Sequence, residues 1–229
     1  MQKGIKFRIY PNREQKNFIH QTLGCCRLIY NRGLAMRKES YEEGKKIGYT
    51  QTSAMLTELK RQEEFAFLKA VDSIALQQSL RDLDRSFVNF FQKRASYPTF
   101  KSKHNRFQSY RTVNQKDNIR IVGRYIKLPK LGFVKIRQSM EVGKINHVTI
   151  EYTPAGKYFA VLNIDFEPEP RPNAGGTIGI DVGIKAFYSD SNGNTVSNPR
   201  YLERSMRKLI REQRRLSRKQ KDSHNRGKQ

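Results

Sequence analysis

The chain has 229 residues, of which 45 are Lys or Arg and 21 are Asp or Glu, giving a formal net charge of +24. Such an excess is far more than solubility requires, and it attracts phosphate, so it indicates a nucleic-acid partner. A membrane-surface or ribosome-associated protein is the alternative that the charge alone leaves open. No apolar run approaches the length of a membrane span and the N-terminus lacks a signal peptide's apolar core, so we expect a cytoplasmic protein with no membrane partner.

The cysteines and histidines show no metal-binding spacing. Cys25 and Cys26 are neighbours within a helical pattern, so they cannot form the paired Cys-x-x-Cys knuckles of a zinc ribbon, and we expect them to be packing residues. The four histidines are scattered along the chain and receive no chemical role: His20, His104, His147 and His224. We therefore expect no zinc in this chain.

The N-terminal part predicts one strand followed by helices. Apolar residues alternate from Ile5 to Ile9, which predicts a strand ending at Pro11. They then recur at helical intervals over residues 12–44 with a break at Gly24, so two helices joined by a tight turn are expected. Such a pair can be a DNA-reading helix-turn-helix, although plain scaffold is the commoner use.

Two more helices follow, one beginning near Thr52 and one from about Ser73 to Lys93 with a broad apolar face. A solvated surface is the ordinary interpretation of its opposite, polar face, which carries Gln77, Gln78, Arg81 and Arg85.

Residues 107–166 predict short strands separated by Gly, Pro and Asn turns. With basic residues at alternating positions, they suit an oligonucleotide-binding-type barrel that the N-terminal strand would complete. We expect most of their aromatic residues, such as Tyr125 and Phe133, in the barrel core. Tyr110 and Arg111 lie in a basic stretch before the first predicted strand and are candidates to meet a base or phosphate. The strands are Ile119–Val122, Tyr125–Leu128, Phe133–Ile136, Val148–Tyr152 and Tyr158–Ile164.

Residues 167–176, rich in proline and glycine, predict a linker. Beyond it, a short run with Ile178 and Ile180 leads to Asp181, which we expect at the edge of a buried strand. Asn192-Gly193 then predicts a tight reversal between Ala186–Asp190 and Thr195–Val196, and Asn198-Pro199 predicts a helix start with an N-cap and an N1 proline.

The last helix has an apolar stripe surrounded by positive charge. Such a density of like charge repels itself unless phosphate lies near, so it predicts an RNA or DNA strand alongside. The apolar stripe consists of Met206, Leu209, Ile210 and Leu216. The basic residues around it are Arg207, Lys208, Arg211, Arg214, Arg215, Arg218, Lys219 and Lys221.

Several segments together resemble the TnpB family of insertion-sequence-encoded, RNA-guided DNA nucleases related to type V CRISPR effectors. GIDVGIKAF (Gly179–Phe187), NPRYL (Asn198–Leu202) and RKLIREQRRLSRKQK (Arg207–Lys221) are similar to its first catalytic segment. The resemblance continues upstream in the family's order, in FRIYPNREQ (Phe7–Gln15), LGCCRLIYNRGL (Leu23–Leu34), ALQQSLRDLDRSFVNFF (Ala75–Phe91), YPTFKSK (Tyr97–Lys103) and IKLPKLGFVKIR (Ile126–Arg137).

The resemblance implies an α+β, multi-part fold. A helical recognition lobe at residues 11–100 would be inserted in an oligonucleotide-binding-like wedge barrel formed by residues 1–10 and 101–166. After the linker at 167–176, residues 177–229 would form the first strands and helix of an RNase H-like (RuvC) nuclease domain.

The resemblance also implies a site and partners. Asp181 would be a catalytic metal ligand for Mg²⁺ or Mn²⁺, while a glutamate, a second aspartate and a zinc ribbon would come from later segments, which this chain, ending at Gln229, does not contain. Asp190 and Glu203 do not stand at positions the family uses. Guide RNA and target DNA are the implied partners, and the expected contacts are Gln77, Arg81, Tyr110, Arg111, Thr112, Arg207, Lys208, Arg211, Arg214, Arg215, Arg218 and Lys219.

Two hypotheses follow. The chain can be the N-terminal portion of an RNA-guided, metal-dependent DNA endonuclease, inactive without its C-terminal nuclease half. Alternatively, it is a non-cleaving nucleic-acid-binding protein, a transposon remnant or repressor, that holds RNA or DNA.

Overall fold

A computed structural model gives the fold, and it describes residues 1–137, 142–167 and 175–228. The chain divides into two compact units, Met1–Pro168 and Glu169–Gln229. The predicted linker at 167–176 contains this division, but its residues 168–174 lie outside the described residues.

In its described part, the first unit contains three long helices, α1 (Arg13–Glu42), α2 (Tyr49–Arg61) and α3 (Ser73–Phe91), with a 3-10 helix at Glu63–Lys69. The predicted break at Gly24 is wrong, because α1 runs without interruption for 30 residues. One interior glycine costs a helix only about 1 kcal/mol, and the buried stripe of α1 outweighs that cost.

A second glycine of α1 has a packing role that its spacing did not indicate. A Cβ atom on Gly33 would lie 2.9 Å from Cδ2 of Leu80 and 3.0 Å from Cδ2 of Leu83, both on α3. Gly33 therefore lets α1 and α3 approach closely. Around Gly24, by contrast, the nearest atom to an added Cβ is a guanidinium nitrogen of Arg27 at 3.9 Å.

Seven antiparallel strands form a sheet in the order β2-β6-β7-β1-β5-β4-β3. The N-terminal strand β1 pairs with β7 on one side and β5 on the other, so it joins the later strands as the sequence predicts. The strands are β1 (Gln2–Tyr10), β2 (Gln108–Val113), β3 (Arg120–Val122), β4 (Tyr125–Leu128), β5 (Gly132–Arg137), β6 (Ile145–Tyr152) and β7 (Tyr158–Asp165).

The sheet is curled, and the side chain of Asn114 links its two edge regions. Its amide donates to the carbonyl oxygens of Ile119 (3.0 Å) and Ile145 (2.8 Å) and accepts from the N–H of Ile119 (3.0 Å). Ile119 directly precedes edge strand β3, and Asn114 directly follows edge strand β2. The helices and the sheet share one hydrophobic core, to which Ile19 and Leu76 contribute from the helices and Phe7 and Leu162 from the strands. The fold is α+β.

The prediction that most aromatic residues of the sheet lie in its core holds for Tyr158, which is 6% exposed, but not for Tyr125 and Phe133. Tyr125 and Phe133 remain 48% and 50% exposed, whereas their strand neighbours Ile126 and Val134 are fully buried. Because successive strand residues point to opposite faces, the aliphatic residues at these positions occupy the core and the rings of Tyr125 and Phe133 face solvent.

The described residues of the second unit form a three-stranded sheet in the order β10-β9-β8 and two helices. The predicted hairpin is present, with Gly193 in the left-handed region at φ 84°. The predicted N-cap is wrong, because α4 begins after Arg200, and Asn198 instead accepts from the N–H of Arg200 and donates to the carbonyl of Ile184. The elements are β8 (Ile180–Asp181), β9 (Ala186–Asp190), β10 (Thr195–Ser197), α4 (Tyr201–Ser217) and α5 (His224–Gly227).

The strand before the predicted acid is not buried. Ile178 and Ile180 are 50% and 58% exposed, and none of the described residues in 175–228 is buried. The small sheet of this unit does not enclose their side chains, so alternation alone was not enough to predict burial.

Candidate nucleic-acid interface

A groove of about 660 Å³ lies beside the polar face of α3. Strands β2 and β6 and the start of α2 supply the rest of its lining. Its lining residues are Tyr49, Gln78, Arg81, Asp84, Arg85, Val88, Arg111, Val113 and His147. The groove therefore gathers three guanidinium groups from α3 and β2.

The three guanidinium groups of this groove differ in whether they already contact another side chain. Arg111 is paired with Asp82 of α3, and Asp84 is paired with Arg37 of α1. Arg81 stacks over the ring of Tyr49 with its guanidinium carbon 4.7 Å from the ring centroid. The side chain of Arg85 has no acidic partner within 4.0 Å among the described residues, and it is exposed. It is thus available for phosphate.

The electrostatic field of the groove acts on His147 of β6. Burial is the main cause that lowers its pKa, and the positive charges of Arg111 and Arg85 lower it further. No local sequence pattern indicated this role, because His147 reaches the groove only through the pairing of β6 with β2, where it lies opposite Val113.

Gln77 and Arg81 are both exposed on α3. They are separated by four positions, so they are neighbours on one face of the helix. The expected pair of a base-reading amide and a phosphate-binding guanidinium is therefore brought together. Arg85, one further turn along, extends the same row and was absent from the predicted contacts, although its spacing from Arg81 could have indicated it.

The structure contradicts the predicted contacts of Tyr110 and Thr112 with nucleic acid. They lie within β2, which the sequence did not predict, and are only 7% and 1% exposed. Burial raises the pKa of the Tyr110 hydroxyl, and the Thr112 hydroxyl donates a hydrogen bond to Asp72. Neither side chain offers a surface to nucleic acid: Tyr110 belongs to the shared hydrophobic core, and Thr112 connects the sheet to the N-cap of α3.

The helix α4 carries the second concentration of arginine. It is amphipathic, and apolar side chains such as Leu209 and Ile210 remain 50% and 43% exposed. Two acids neutralise part of the positive charge of α4. Glu203 pairs with Arg200 and Arg207, and Glu212 pairs with Arg211 and Arg215. Its groove, about 370 Å³, is lined by Arg207, Ile210, Arg211, Arg214, Arg215 and Arg218.

The remaining predicted contacts of this region differ in their surroundings. Lys208 is exposed on α4, while Lys219, beyond its end, donates a hydrogen bond of 2.9 Å to the carbonyl of Asn225. The predicted basic helix is thus one continuous element as far as Ser217 and a short α5 thereafter.

Asp181 lies exposed in β8, opposite Ser189 of β9. Asp190 is different: its carboxylate accepts from the N–H groups of Asn192 and Asn194 and from the Asn194 amide, each at 2.9 Å, and these bonds lower its pKa. Asp190 therefore organises the hairpin. Within the described ranges no three His, Cys, Asp or Glu side chains group as a metal site. These residues do not fit a two-metal centre, and Asp181 offers one candidate ligand.

No helix in the described part of the chain is long and apolar enough to cross a bilayer.

Comparison with known families identifies the class. The "Helix-turn-helix domain" model of IS605 OrfB proteins matches residues 1–46, which hold β1 and α1, and the OrfB "Probable transposase" model matches residues 147–229. These matches define a transposase-family protein of an insertion sequence. The chain belongs to the OrfB, or TnpB, family, and the resemblance seen in its sequence is confirmed.

Curated relatives match along the whole chain. It is 36% identical over 232 residues to a "Putative RNA-guided DNA endonuclease" of Streptomyces pristinaespiralis and 34% identical over 229 residues to the "Putative RNA-guided DNA endonuclease InsQ" of Escherichia coli K12. The matches cover 100% and 97% of this chain but 58% and 56% of those proteins, so the chain spans little more than half their length. A cryo-EM structure of a CRISPR-Cas12f ternary complex matches with a TM-score of 0.39 and 13% identity, over 93% of this chain and 54% of that one.

Proposed function

We propose that the chain is the nucleic-acid-binding N-terminal portion of an RNA-guided, metal-dependent DNA endonuclease of transposon origin. The observation that carries the proposal is the gathering of guanidinium groups on two surfaces, the groove beside α3 and the face of α4. Guanidinium groups match phosphate oxygens in a planar fork, so arginine concentrated in grooves suits a nucleic-acid backbone better than scattered lysine does.

The groove beside α3 is the proposed site for target DNA. Arg85 and Arg81 would contact phosphates, and the exposed amide of Gln77 would reach a base edge, since a glutamine can pair bidentately with adenine in the major groove. The α4 face is the proposed site for guide RNA. Its unburied apolar residues and its row of arginines are consistent with a helix whose partner is a second macromolecule.

Asp181 is the proposed contribution of this chain to the metal site. A centre that holds two divalent cations close together needs several carboxylates to offset the repulsion between the ions. Among the described residues we assign one such carboxylate, that of Asp181. The family resemblance implies that the other carboxylates come from later segments. We therefore assign no cutting step to this chain.

The proposal is tested by measuring affinity for a structured RNA and for duplex DNA of arbitrary sequence over a series of salt concentrations. RNA is expected to bind more tightly, and the log–log slope should correspond to several released counterions. Arg214→Gln with Arg218→Gln should weaken RNA binding, whereas Arg61→Gln, whose guanidinium pairs with Glu58 on α2, should not. Equal affinity for RNA and random duplex near physiological salt would count against a guide-RNA role.

The same arginine surfaces would also serve a non-cleaving transposon remnant or repressor, in which Asp181 has no catalytic role. The DNA downstream of the codon for Gln229 distinguishes the two functions. A further acidic strand-end motif and two Cys-x-x-Cys pairs in frame would establish the nuclease; a reading frame without them would favour the binding protein.

A further inference from the structure

Asp181 lies on a strand of only two residues. Both residues of β8, Ile180 and Asp181, are exposed. The pairing of β8 with β9 consists of two residue pairs, Ile180 with Asp190 and Asp181 with Ser189. None of the described residues of this unit is buried, so apolar burial contributes little to holding β8 against its neighbour. The position of β8 in the small sheet therefore depends on hydrogen bonds to β9 and to the turn that follows β9.

Ser191 adds a third connection at the turn end of this ladder. Its N–H donates to the carbonyl oxygen of Gly179 at 2.9 Å, and its hydroxyl oxygen accepts from the N–H of Gly179 at 3.1 Å. In a regular antiparallel ladder the second of these bonds would go to a backbone carbonyl. Because Ser191 lies where β9 enters the turn, its hydroxyl takes the place of that carbonyl and keeps both backbone groups of Gly179 bonded.

The hairpin fixes the position of Ser191 itself. The carboxylate of Asp190, the residue before it, accepts hydrogen bonds from the N–H groups of Asn192 and Asn194, each at 2.9 Å. The N–H of Gly193 donates to the carbonyl oxygen of Asp190 at 3.0 Å. These bonds do not involve the side chain of Ser191, so removal of its hydroxyl should leave the turn in place and loosen only β8.

We propose that Ser191 is a positioning residue for Asp181. Gly179 precedes Asp181 by two residues, so the two bonds from Ser191 align β8 with β9 just before the carboxylate. The alternation of an antiparallel ladder makes Asp181 and Ser189 the next hydrogen-bonded pair after Gly179 and Ser191. The inference rests on the proposed role of Asp181 in cutting. It adds a residue that acts on this carboxylate only through the backbone of β8.

The first measurement uses the 229-residue chain and follows amide hydrogen exchange of Asp181 by NMR. In Ser191→Ala this amide should exchange about fivefold faster than in the wild type, the factor that corresponds to the net contribution of one hydrogen bond. Ser191→Thr keeps a hydroxyl on the same carbon and should exchange as the wild type does. Thr195→Val is the matched control, because the Thr195 hydroxyl bonds that of Ser189 at 3.2 Å, on the β10 side of the hairpin and not on β8.

The second measurement uses a protein extended through the later acidic segments that the family resemblance implies. There Ser191→Ala should reduce cleavage of target DNA by about 10- to 100-fold, because a misplacement of about 1 Å can cost about 100-fold in rate. It should leave RNA and DNA affinity within about twofold of the wild type. Ser191→Thr should restore cleavage, and Thr195→Val should cut normally.

Unchanged exchange at Asp181 in Ser191→Ala would overturn the inference, as would unchanged cleavage by this variant when Asp181→Asn abolishes cutting. A loss of cleavage that Ser191→Thr does not restore, or an equal loss in Thr195→Val, would also overturn it, since either result indicates general damage to the hairpin. If Asp181→Asn leaves cutting unaffected, the proposed role of Asp181 fails, and the exchange measurement alone then decides whether Ser191 holds β8.

Discussion

The Thr112 hydroxyl of β2 donates a hydrogen bond to Oδ2 of Asp72, and Oδ1 of the same carboxylate accepts the N–H of Ile74 in the first turn of α3. Thr112 and Asp72 are 1% and 6% exposed. One buried carboxylate therefore caps α3 and connects it to the sheet. The turn of α3 that presents Gln77 is positioned by this contact.

Replacing Thr112 should affect stability rather than base reading. Thr112→Val keeps the volume but leaves one oxygen of a buried carboxylate without its donor, a loss of about 1–3 kcal/mol. Urea unfolding followed by circular dichroism measures it. Thr57→Val, which removes a hydroxyl that bonds only the Ser53 carbonyl on the exposed side of α2, should stay within about 0.5 kcal/mol of the wild type. A stable Thr112→Val protein with altered base preference would contradict this assignment.

The two glycines of α1 should respond in opposite directions to substitution by alanine. At Gly33 the added methyl meets Leu80 and Leu83, which are fully buried. Overpacking of about 1–3 kcal/mol should exceed the helix-propensity gain of about 1 kcal/mol. At Gly24 only the gain in helix propensity remains, because the atom nearest to an added Cβ, a guanidinium nitrogen of Arg27, lies 3.9 Å away. Thermal and urea unfolding of the matched pair test this, and a destabilised Gly24→Ala protein would show that the helix bends there.

Periodicity predicted the elements well where one face of an element is buried. The helix expected at Ser73–Lys93 is Ser73–Phe91, and the strand Tyr125–Leu128 has the expected bounds. The break at Gly24 could not be judged locally, since continuity of α1 depends on packing against residues of α3 that are far away in sequence. The close approach at Gly33 has no local signal for the same reason.

The aromatic residues show the limit of the strand pattern. Alternation establishes that Tyr125 and Lys127 share one face of the strand and Ile126 and Leu128 the other. It does not indicate which of the two faces packs against the hydrophobic core. The lysine beside Tyr125 was the signal that this face meets water. For Tyr110 no such signal existed, because its burial depends on helices and strands distant in sequence. The exposure of the α4 arginines, which needs no tertiary partner, could be predicted from the sequence alone. Their contact with nucleic acid stays a prediction.

Arg85 should contribute one phosphate contact when duplex DNA occupies the groove. Arg85→Gln is expected to weaken binding and to reduce the log–log salt slope by about 0.9, the value for one phosphate on B-DNA. The change should be similar for all duplex sequences, because a phosphate contact carries no base information. Arg61→Gln is the matched control: Arg61 ends α2, which begins at the groove residue Tyr49, about 18 Å away along the helix. An unchanged slope for Arg85→Gln would place the DNA elsewhere.

His147 should report occupation of the same groove. Its pKa is below the ordinary value of 6.5 because of burial and of the nearby Arg111 and Arg85. Phosphate would offset those positive charges and raise the pKa, so binding takes up protons and affinity should increase as the pH falls through the region just below 6.5. NMR titration with and without duplex measures the shift. The pKa of His20 is also lowered by burial, but His20 hydrogen-bonds Tyr158 outside the groove, and its pKa should not move. Equal shifts would indicate a general charge effect.

Asp181 should matter for cutting only when the remaining carboxylates of the family are present. One exposed acid cannot hold two divalent cations against their mutual repulsion, so the 229-residue chain should not cleave DNA with Mg²⁺ or Mn²⁺. In a protein extended to include the later acidic segments, Asp181→Asn should reduce cleavage by several orders of magnitude and leave RNA and DNA affinity unchanged, because one charge is lost from a strongly basic surface. Asp190→Asn, which keeps an acceptor oxygen for its hairpin, should cut normally. Metal-dependent cleavage by the 229-residue chain, or full activity of the extended Asp181→Asn variant, would refute the role of this residue.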